Sequence, residues 1–526
     1  MRKHRILWMA ALSALVVLLS TPTARATPPG PSLSPVEELG KQLFFDKISI
    51  HPSVSCATCH LPSAGWVGGI SGINVHGSVY RGAIPQRFGN RKPPTSAYAN
   101  FSPIFHYDMV EGLFIGGMFW DGRATGEVLG SPLADQAVGP FLNPVEQNMP
   151  NPQGVCNAVK NSRYAALFEE VWGPGSLDCS DAGISATYGR IGLSIAAYEG
   201  SAEVSPFSSK FDAYWNDCIA AGNDPEACGE AEGDKAILDP NNVLTPLEWD
   251  GLVEFEEYCS ACHTTEVPGP TGGPPLFTDF TYDNIGVPRN PENPFYGMDD
   301  IDINGNPINP DGDAFVDYGL GGFLRSRPEW ASLAGENDGK FKVPTVRNVD
   351  MRQGRGAKKA YMHNGVFKTL KDVVHFYNTR DVAAENWPPP EVPQNVNREI
   401  LEGKPMGNLE LTDEAEDAIV AFMKTLTDGY APRRTGPPRP AVEAQAVSMS
   451  GDIRFRAIVP GAAEITVHDI LGRKVRSLGS HDLVEGMNLV RWDGRDDAGS
   501  PTANGIYFYR IHGPKIDMRV KAILVR

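Results

Sequence analysis

Cys56-Ala57-Thr58-Cys59-His60 and Cys259-Ser260-Ala261-Cys262-His263 repeat one pentapeptide pattern about two hundred residues apart, and no other feature restricts this chain so strongly. In a Cys-x-x-Cys-His run the two cysteines form thioethers to a haem while the adjacent histidine ligates its iron. A zinc site or a redox dithiol uses the same cysteine pair. Neither gives the histidine a task, and a zinc ribbon needs two pairs close enough to meet. The chain is therefore expected to hold two covalently bound c-type haems, one on Cys56, Cys59 and His60 and one on Cys259, Cys262 and His263.

The N-terminus reads as an export signal: Arg2, Lys3, His4 and Arg5, an apolar run from Ile6 to Leu19, then Ala24-Arg25-Ala26 at a cleavage site. Residues 1–26 are thus expected to leave as a signal peptide, with the product periplasmic, secreted or at the cell surface. No later stretch reaches the roughly eighteen apolar residues of a membrane span. Losing four basic residues with the leader turns the net charge of −17 into −21. That speaks against a nucleic-acid partner and suits a small basic electron carrier at low ionic strength, though plain solvation explains it as well. Export permits disulfides among the cysteines outside the motifs. Of the available pairings, Cys156 with Cys179 and Cys218 with Cys228 close the shortest loops.

The organisation repeats too. Ser34-Pro35-Val36-Glu37 and Thr245-Pro246-Leu247-Glu248 each combine an N-cap, a proline at the first helical position and a capping-box glutamate, and each precedes a haem motif. The expected fold is mainly α, with two cytochrome c-like haem domains (27–235 and 236–430) joined through the small acidic stretch from Gly222 to Asp239. A helix opened by Thr412 and carrying Ile419, Phe422, Met423 and Leu426 ends the second domain. Residues 431–441 read as a proline-rich linker. In residues 442–526 the period changes: Ile453 to Ala457, Glu464 to His468, Leu489 to Trp492 and Ile506 to Ile511 alternate between turn clusters, which predicts a small C-terminal β-sandwich. The run from Asp469 to Val475, that from Trp492 to Gly499, and Gly505-Ile506-Tyr507 resemble the FlgD-like immunoglobulin module and the sorting tails of secreted bacterial proteins. Targeting or surface attachment is what that resemblance implies.

Between the motifs, Trp120-Asp121-Gly122-Arg123 is followed by Pro132-Leu133-Ala134-Asp135-Gln136 and then by Pro144-Val145-Glu146. This stretch closely resembles the bacterial di-haem cytochrome c peroxidases and the related MauG enzymes, and the resemblance runs from about Pro35 to Tyr430. It implies that Gln136 and Glu146 line a peroxide site and that Trp120 lies between the haems, with an insertion from Gly126 to Ser131 as a departure. The residue types suit the chemistry. Heterolysis of a bound peroxide moves one proton from the inner to the outer oxygen, which a carboxylate can take and return. Gln136 would hold the peroxide oxygen, and tryptophan is the most oxidisable side chain for relaying a hole. Taken singly, the three also read as a core tryptophan, a capping glutamine and a surface acid. The peroxidases use a histidine sixteen residues after the first haem histidine as a removable iron ligand, which points to His76; MauG lacks that ligand, and a loop histidine is otherwise simply solvated. Trp492-Asp493-Gly494-Arg495 repeats the tetrapeptide in a β context and is a decoy.

Downstream of the second motif, Tyr361-Met362-His363-Asn364-Gly365 precedes a helix whose stripe, Leu370, Val373, Val374 and Tyr377, turns Tyr377 to the buried face while His375 points elsewhere. By its offset from His363, Tyr377 falls where the peroxidases carry the methionine ligand of the second haem and MauG a tyrosine. Met406 is the alternative ligand. A thioether favours ferrous iron, a tyrosine oxygen more oxidised iron. The family usually binds calcium through an asparagine in an Arg-Asn-x-Pro segment; Arg91-Lys92-Pro93-Pro94 puts lysine there, which leaves the calcium open. Asp300 to Gly305 reads as a solvated acidic insertion in preference to a calcium loop.

The resemblance implies an exported di-haem oxidoreductase that reduces hydrogen peroxide to water at the first haem, with a cytochrome c or cupredoxin type of donor protein. Two rivals stand beside it. One is MauG-like oxidation of side chains in a partner protein; the other is a non-catalytic di-haem electron-transfer cytochrome, in which Gln136 and Glu146 have no purpose.

Overall fold

A computed structural model describes residues 32–431, apart from 268–272, 355 and 402–403, and residues 453–524, apart from 458–459, 470–471, 485 and 514–515. The expected signal peptide lies outside the described residues, as does nearly all of the expected linker.

The first half is shaped by helices α1 (Pro35–Phe45), α2 (Pro132–Leu142) and α3 (Ile184–Glu199). Helix α4 (Lys210–Ala220) leads to the second half, built on α5 (Pro246–Cys259), α6 (Leu370–Thr379) and α7 (Asp413–Thr425). Both expected capping boxes form. The Glu37 carboxylate accepts from Ser34 N at 2.6 Å and that of Glu248 from Thr245 N at 2.7 Å, which satisfies a donor that each helix start would otherwise leave bare.

The two halves share a crossing. Six residues after each N-cap stands a glycine, Gly40 or Gly251. At Gly40 a Cβ would collide with the backbone oxygen of Ser194 on α3 and come within 2.9 Å of Tyr198 Cβ. At Gly251 it would collide with the oxygen of Ala418 on α7 and come within 3.0 Å of Phe422 Cβ. Only glycine lets these helix pairs approach so closely. The first core gathers Leu39, Leu43, Phe44, Ile191 and Ile195 around this crossing, the second Leu252, Phe255, Ile419 and Phe422.

Cys156 pairs with Cys179 and Cys218 with Cys228, as the short loops suggested. The second pair has a consequence for the domain limits. Phe211, Tyr214 and Trp215 of α4 and both cysteines of that disulfide belong to the second core. Arg347, wholly buried, adds a two-pronged bond to Asp212 at 3.0 and 3.1 Å. By packing, the second half thus begins near Phe211, earlier than residue 236. The acidic stretch that resembles a linker is held in place: Tyr214 donates to Cys228 O at 2.9 Å, and buried Asp239 accepts from Val243 N and Leu244 N.

The C-terminal segment is all antiparallel β. Strands β1 (Ile453–Ala457) and β4 (Gly486–Val490) pair with each other, and β2 (Gly461–His468), β3 (Lys474–Leu483), β5 (Gly505–Gly513) and β6 (Ile516–Leu524) form a sheet of order β6-β5-β2-β3. Phe455 and Val490 of the pair meet Ile465, Val467, Tyr509 and Ile511 of the sheet in one core. Trp492 is 2% exposed in that core and its indole donates to Arg495 O at 2.8 Å, so this copy of the tetrapeptide anchors a turn.

Candidate functional site

Four cysteines are free, and they are those of the two motifs. Burial pushes the thiols of Cys59, Cys259 and Cys262 up to about 12, away from the lowered range of a reactive dithiol. Each motif histidine is oriented by a carbonyl: His60 Nδ1 lies 3.2 Å from Trp66 O and His263 Nδ1 3.1 Å from Phe277 O. With Nδ1–H donated, Nε2 is left with the lone pair that iron requires. Desolvation lowers both imidazoles, His60 to about 4, so each is neutral at physiological pH. Trp66 and Phe277 even share a left-handed backbone, φ 60° and 55°.

The second motif opens on a cavity walled by Cys259, Cys262 and His263 on one side and by the stripe Leu370, Val373, Val374 and Tyr377 of α6 on another. Met406 lines it as well, so both candidate ligands are present. His375 points away, to Glu416 at 2.8 Å. His363 also lines the cavity, and its buried Nε2 has no partner among the described residues. Free thiols, a neutral histidine and an apolar cavity with an unpartnered donor or acceptor fit a haem at this motif. The matching histidine geometry fits one at the first.

A second repeat connects the two sites and went unread in the sequence: Lys92-Pro93-Pro94-Thr95 and Lys342-Val343-Pro344-Thr345. Thr95 Oγ1 donates to Gly65 O at 2.9 Å and Thr345 Oγ1 to Leu276 O at 2.6 Å, so each segment is tied to the residue preceding the carbonyl that orients its histidine. Trp120 spans the gap. Its indole N–H donates to Lys92 O at 2.8 Å, and its own carbonyl accepts from Lys342 N at 2.9 Å. Its ring lies 6.5 Å from that of His363 and forms part of the wall of the second cavity.

The rest of the tetrapeptide fixes that position. Arg91 bonds Asp121 at 2.6 Å and Asp317 twice at 2.7 Å. Burial works to raise both acids, but Arg91 outweighs it and holds Asp317 down to about 2. Gly122 has φ 78° and no room for a Cβ against the Tyr282 hydroxyl.

Gln136 sits half-buried on α2. The insertion from Gly126 to Ser131 closes on the neighbouring Asp135, whose carboxylate accepts from Gly126 N, Val128 N and Leu129 N at 2.8, 3.3 and 2.9 Å. Glu146 follows α2, with Asn143 Nδ2 donating to its Oε1 at 2.7 Å. Burial raises the Glu146 carboxyl, against the pull of Arg123 and Asn143. Its charge acts in turn on the thiols of Cys56 and Cys59, and the Nε2 of the adjacent Gln147 lies 4.0 Å from Cys56 Sγ. Glu199, at the end of α3, also acts on Cys56 and was missed; burial pushes it up to about 8, and the only sign in the sequence is an acid ending an apolar helix.

His76 is not brought to this site. Its side chain is 71% exposed and faces Glu292 at 3.3 Å. Nor do the residues fit a calcium ion at Lys92, which brings an ammonium where a metal ligand is needed. Asp300 is engaged by Arg87 at 2.6 Å, and Asp302 folds a turn by accepting from Asn304 N and Asn306 N. Among the described residues no three acidic, cysteine or histidine side chains gather to hold a metal ion.

The family model for di-haem cytochrome c peroxidase matches residues 34–218. The chain is 33% identical over 439 residues to the methylamine utilization protein MauG of Paracoccus denitrificans (strain Pd 1222), covering 80% of this chain and 96% of that protein. It is 25% identical over 397 residues to the cytochrome-c peroxidase IdrP2 of Pseudomonas sp. (strain SCT), covering 74% and 80%. Of solved structures, the diheme peroxidase BthA from Burkholderia thailandensis E264 is similar with TM-score 0.56 and 28% identity, over 76% of this chain and 87% of that one. The family implies two haems, in keeping with the two motifs. The chain is an oxidoreductase and belongs to the di-haem cytochrome c peroxidase family, which takes in both the peroxidases and MauG.

Proposed function

We propose that this is an exported peroxidase that reduces hydrogen peroxide to two waters, taking up two electrons and two protons, at the site of Cys56, Cys59 and His60. Thioethers from Cys56 and Cys59, and from Cys259 and Cys262, would hold the two haems, with His60 and His263 as iron ligands. The haems, when bound, supply the redox chemistry that cleaves the O–O bond and stores the oxidising equivalents. Around them Glu146 takes the proton of the inner peroxide oxygen and returns it to the outer one, and Gln136 holds the peroxide by hydrogen bonding. Trp120 lies between the sites, fixed by main-chain bonds on both sides.

The observation that carries this reading is Glu146, a carboxyl raised by burial, steadied by Asn143 and close enough to act on both thiols of the first motif. An electron carrier has no use for such a group. A second reading, oxidation of side chains in a partner protein as in MauG, is favoured by Tyr377 on the wall of the second cavity and by the outward His76. Titrating the fully oxidised protein with hydrogen peroxide, with and without a reduced small cytochrome c, separates these. Turnover of the cytochrome only after one haem is reduced supports the peroxidase; a lasting spectral change in the fully oxidised protein supports the partner-oxidising reading; no response to peroxide supports the electron carrier.

The β segment after residue 442 carries no haem motif, and we read it as an attachment or sorting module. Among the described residues no helix is long and apolar enough to cross a membrane.

A further inference from the structure

Three lysines reach inward close to the two sites, where burial works against their charge; Asp279 acts on Lys342 and Asp350 on Lys359, both from beyond ion-pair distance. Lys92 and Lys359 are 7% and 4% exposed. The Lys359 ammonium donates to Ala64 O at 3.0 Å and Asn348 O at 3.2 Å, and that of Lys92 to Pro93 O at 3.4 Å. Lys342 donates to Gly116 O at 3.1 Å, lies over the rings of Phe280 and Tyr282, and lines the second cavity. Among the described residues none of the three has a carboxylate within ion-pair distance. Buried charge is strongly unfavourable unless it is paired, and Lys92 and Lys359 are near enough to repel each other.

Their placement follows the repeat. Lys92 and Lys342 hold the same position in the two Lys-x-Pro-Thr segments, and two residues on, Pro94 O and Pro344 O face the imidazoles of His60 and His263. Each site thus has its own interior ammonium at an equivalent point. A haem brings two propionate carboxylates with it, and these are the anions that the two sites must accommodate. We propose that Lys92, with Lys359 beside it, and Lys342 are the seats of the propionates of the haems at His60 and His263 respectively. Positive charge between the sites is then supplied by side chains, at the segment where the resemblance would put calcium. Because Trp120 is bonded to the main chain of both Lys92 and Lys342, the same two residues position both propionate groups and the tryptophan between them.

The inference rests on the two motifs being haem sites, so haem content is measured separately, by pyridine haemochrome, which is to give two haems per chain. Lys92→Met, Lys342→Met, Lys359→Met and the corresponding arginine variants are then compared by spectroelectrochemistry and resonance Raman, neither of which needs peroxide turnover. Loss of a nearby positive charge disfavours the reduced haem. Lys92→Met and Lys359→Met are expected to lower the midpoint potential of the haem at His60, and Lys342→Met that of the haem at His263, each with a shift of its propionate bending band, and arginine is to restore both. If a methionine variant fails to retain haem while its arginine variant keeps it, the charge is required and the proposal stands. Loss of haem in both, or potentials and propionate bands unmoved in variants holding two haems, overturns it. Fewer than two haems in the parent protein refutes the haem reading instead.

Discussion

The imidazole of His363 lies flat on the ring of Phe341, centroids 3.5 Å apart and planes 10° from parallel, with Nε2 buried at the wall of the second cavity and unpartnered among the described residues. Burial takes this histidine down to about 3 from an ordinary 6.5, and the attraction of Asp317 does not reverse it. The unfolded chain binds the proton below pH 6.5, the folded chain only near 3. Stability is therefore complete above 6.5 and falls as pH drops towards 3, by up to about 1.4 kcal/mol per pH unit. His363→Phe should flatten that decline. Urea midpoints at about pH 7 and about pH 5 check it, and parallel losses in the two proteins would show that His363 is not responsible.

Gly40 and Gly251 should tolerate no side chain. Alanine favours a helix over glycine by about 1 kcal/mol, but here its Cβ meets a backbone oxygen of the crossing helix, and overpacking of this kind costs about 1–3 kcal/mol. Gly40→Ala and Gly251→Ala are expected to lower the thermal midpoint. Gly322→Ala is the control, since its Cβ would make ordinary contact with Tyr318 at 3.6 Å. Destabilisation by all three alike would remove the special role of the crossings.

What could be read in advance was local. The haem pentapeptides, the capping boxes at Ser34 and Thr245 and the sequence-local disulfides depend on residues close in the chain. The stripe ending at Tyr377 depends on helical period alone, and all four of its residues line the cavity. The glycines at the crossings escaped notice because their partners, Ser194 and Ala418, lie more than 150 residues away. The link from Trp120 to Lys92 and Lys342 ends on the backbone groups of both lysines, which leave no pattern in side chains. Strands β3 and β6 were not foreseen, nor was the packing of α4 on the second core, because it is set by tertiary contacts of Phe211 with Phe277 and Phe422 and of Tyr214 with Trp249. His76 sits at the family's offset from His60, but offset fixes neither the course of a loop nor the pull of Glu292.

Replacing Glu146 by glutamine keeps the shape and removes the proton carrier. Peroxide-driven oxidation should fall by about 10²- to 10⁴-fold, with both haem potentials nearly unchanged. Because burial raises this carboxyl, the parent enzyme should lose rate on acidification at a pH above the ordinary carboxylate range, as the base form disappears. The residual rate of Glu146→Gln should lack that acid limb. An unaltered acid limb in the variant would assign the proton transfer to another group.

Tyr377 and Met406 are the two candidate ligands for the iron of the second haem, and both line the same cavity. Gly407 N donates to Tyr377 O at 2.8 Å, so the loop carrying Met406 is tied to the helix carrying the tyrosine. Burial lifts the Tyr377 phenol far above its usual range, so on its own it stays protonated; only a cation such as ferric iron can make it a phenolate ligand. If it is the ligand, Tyr377→Met should raise the potential of the second haem, because a thioether favours ferrous iron, and Met406→Leu should leave that potential in place. If instead Met406→Leu lowers the potential and Tyr377→Phe does nothing, methionine is the ligand. The second haem is then suited to accepting electrons from a small donor protein, and the MauG-like reading loses its main support.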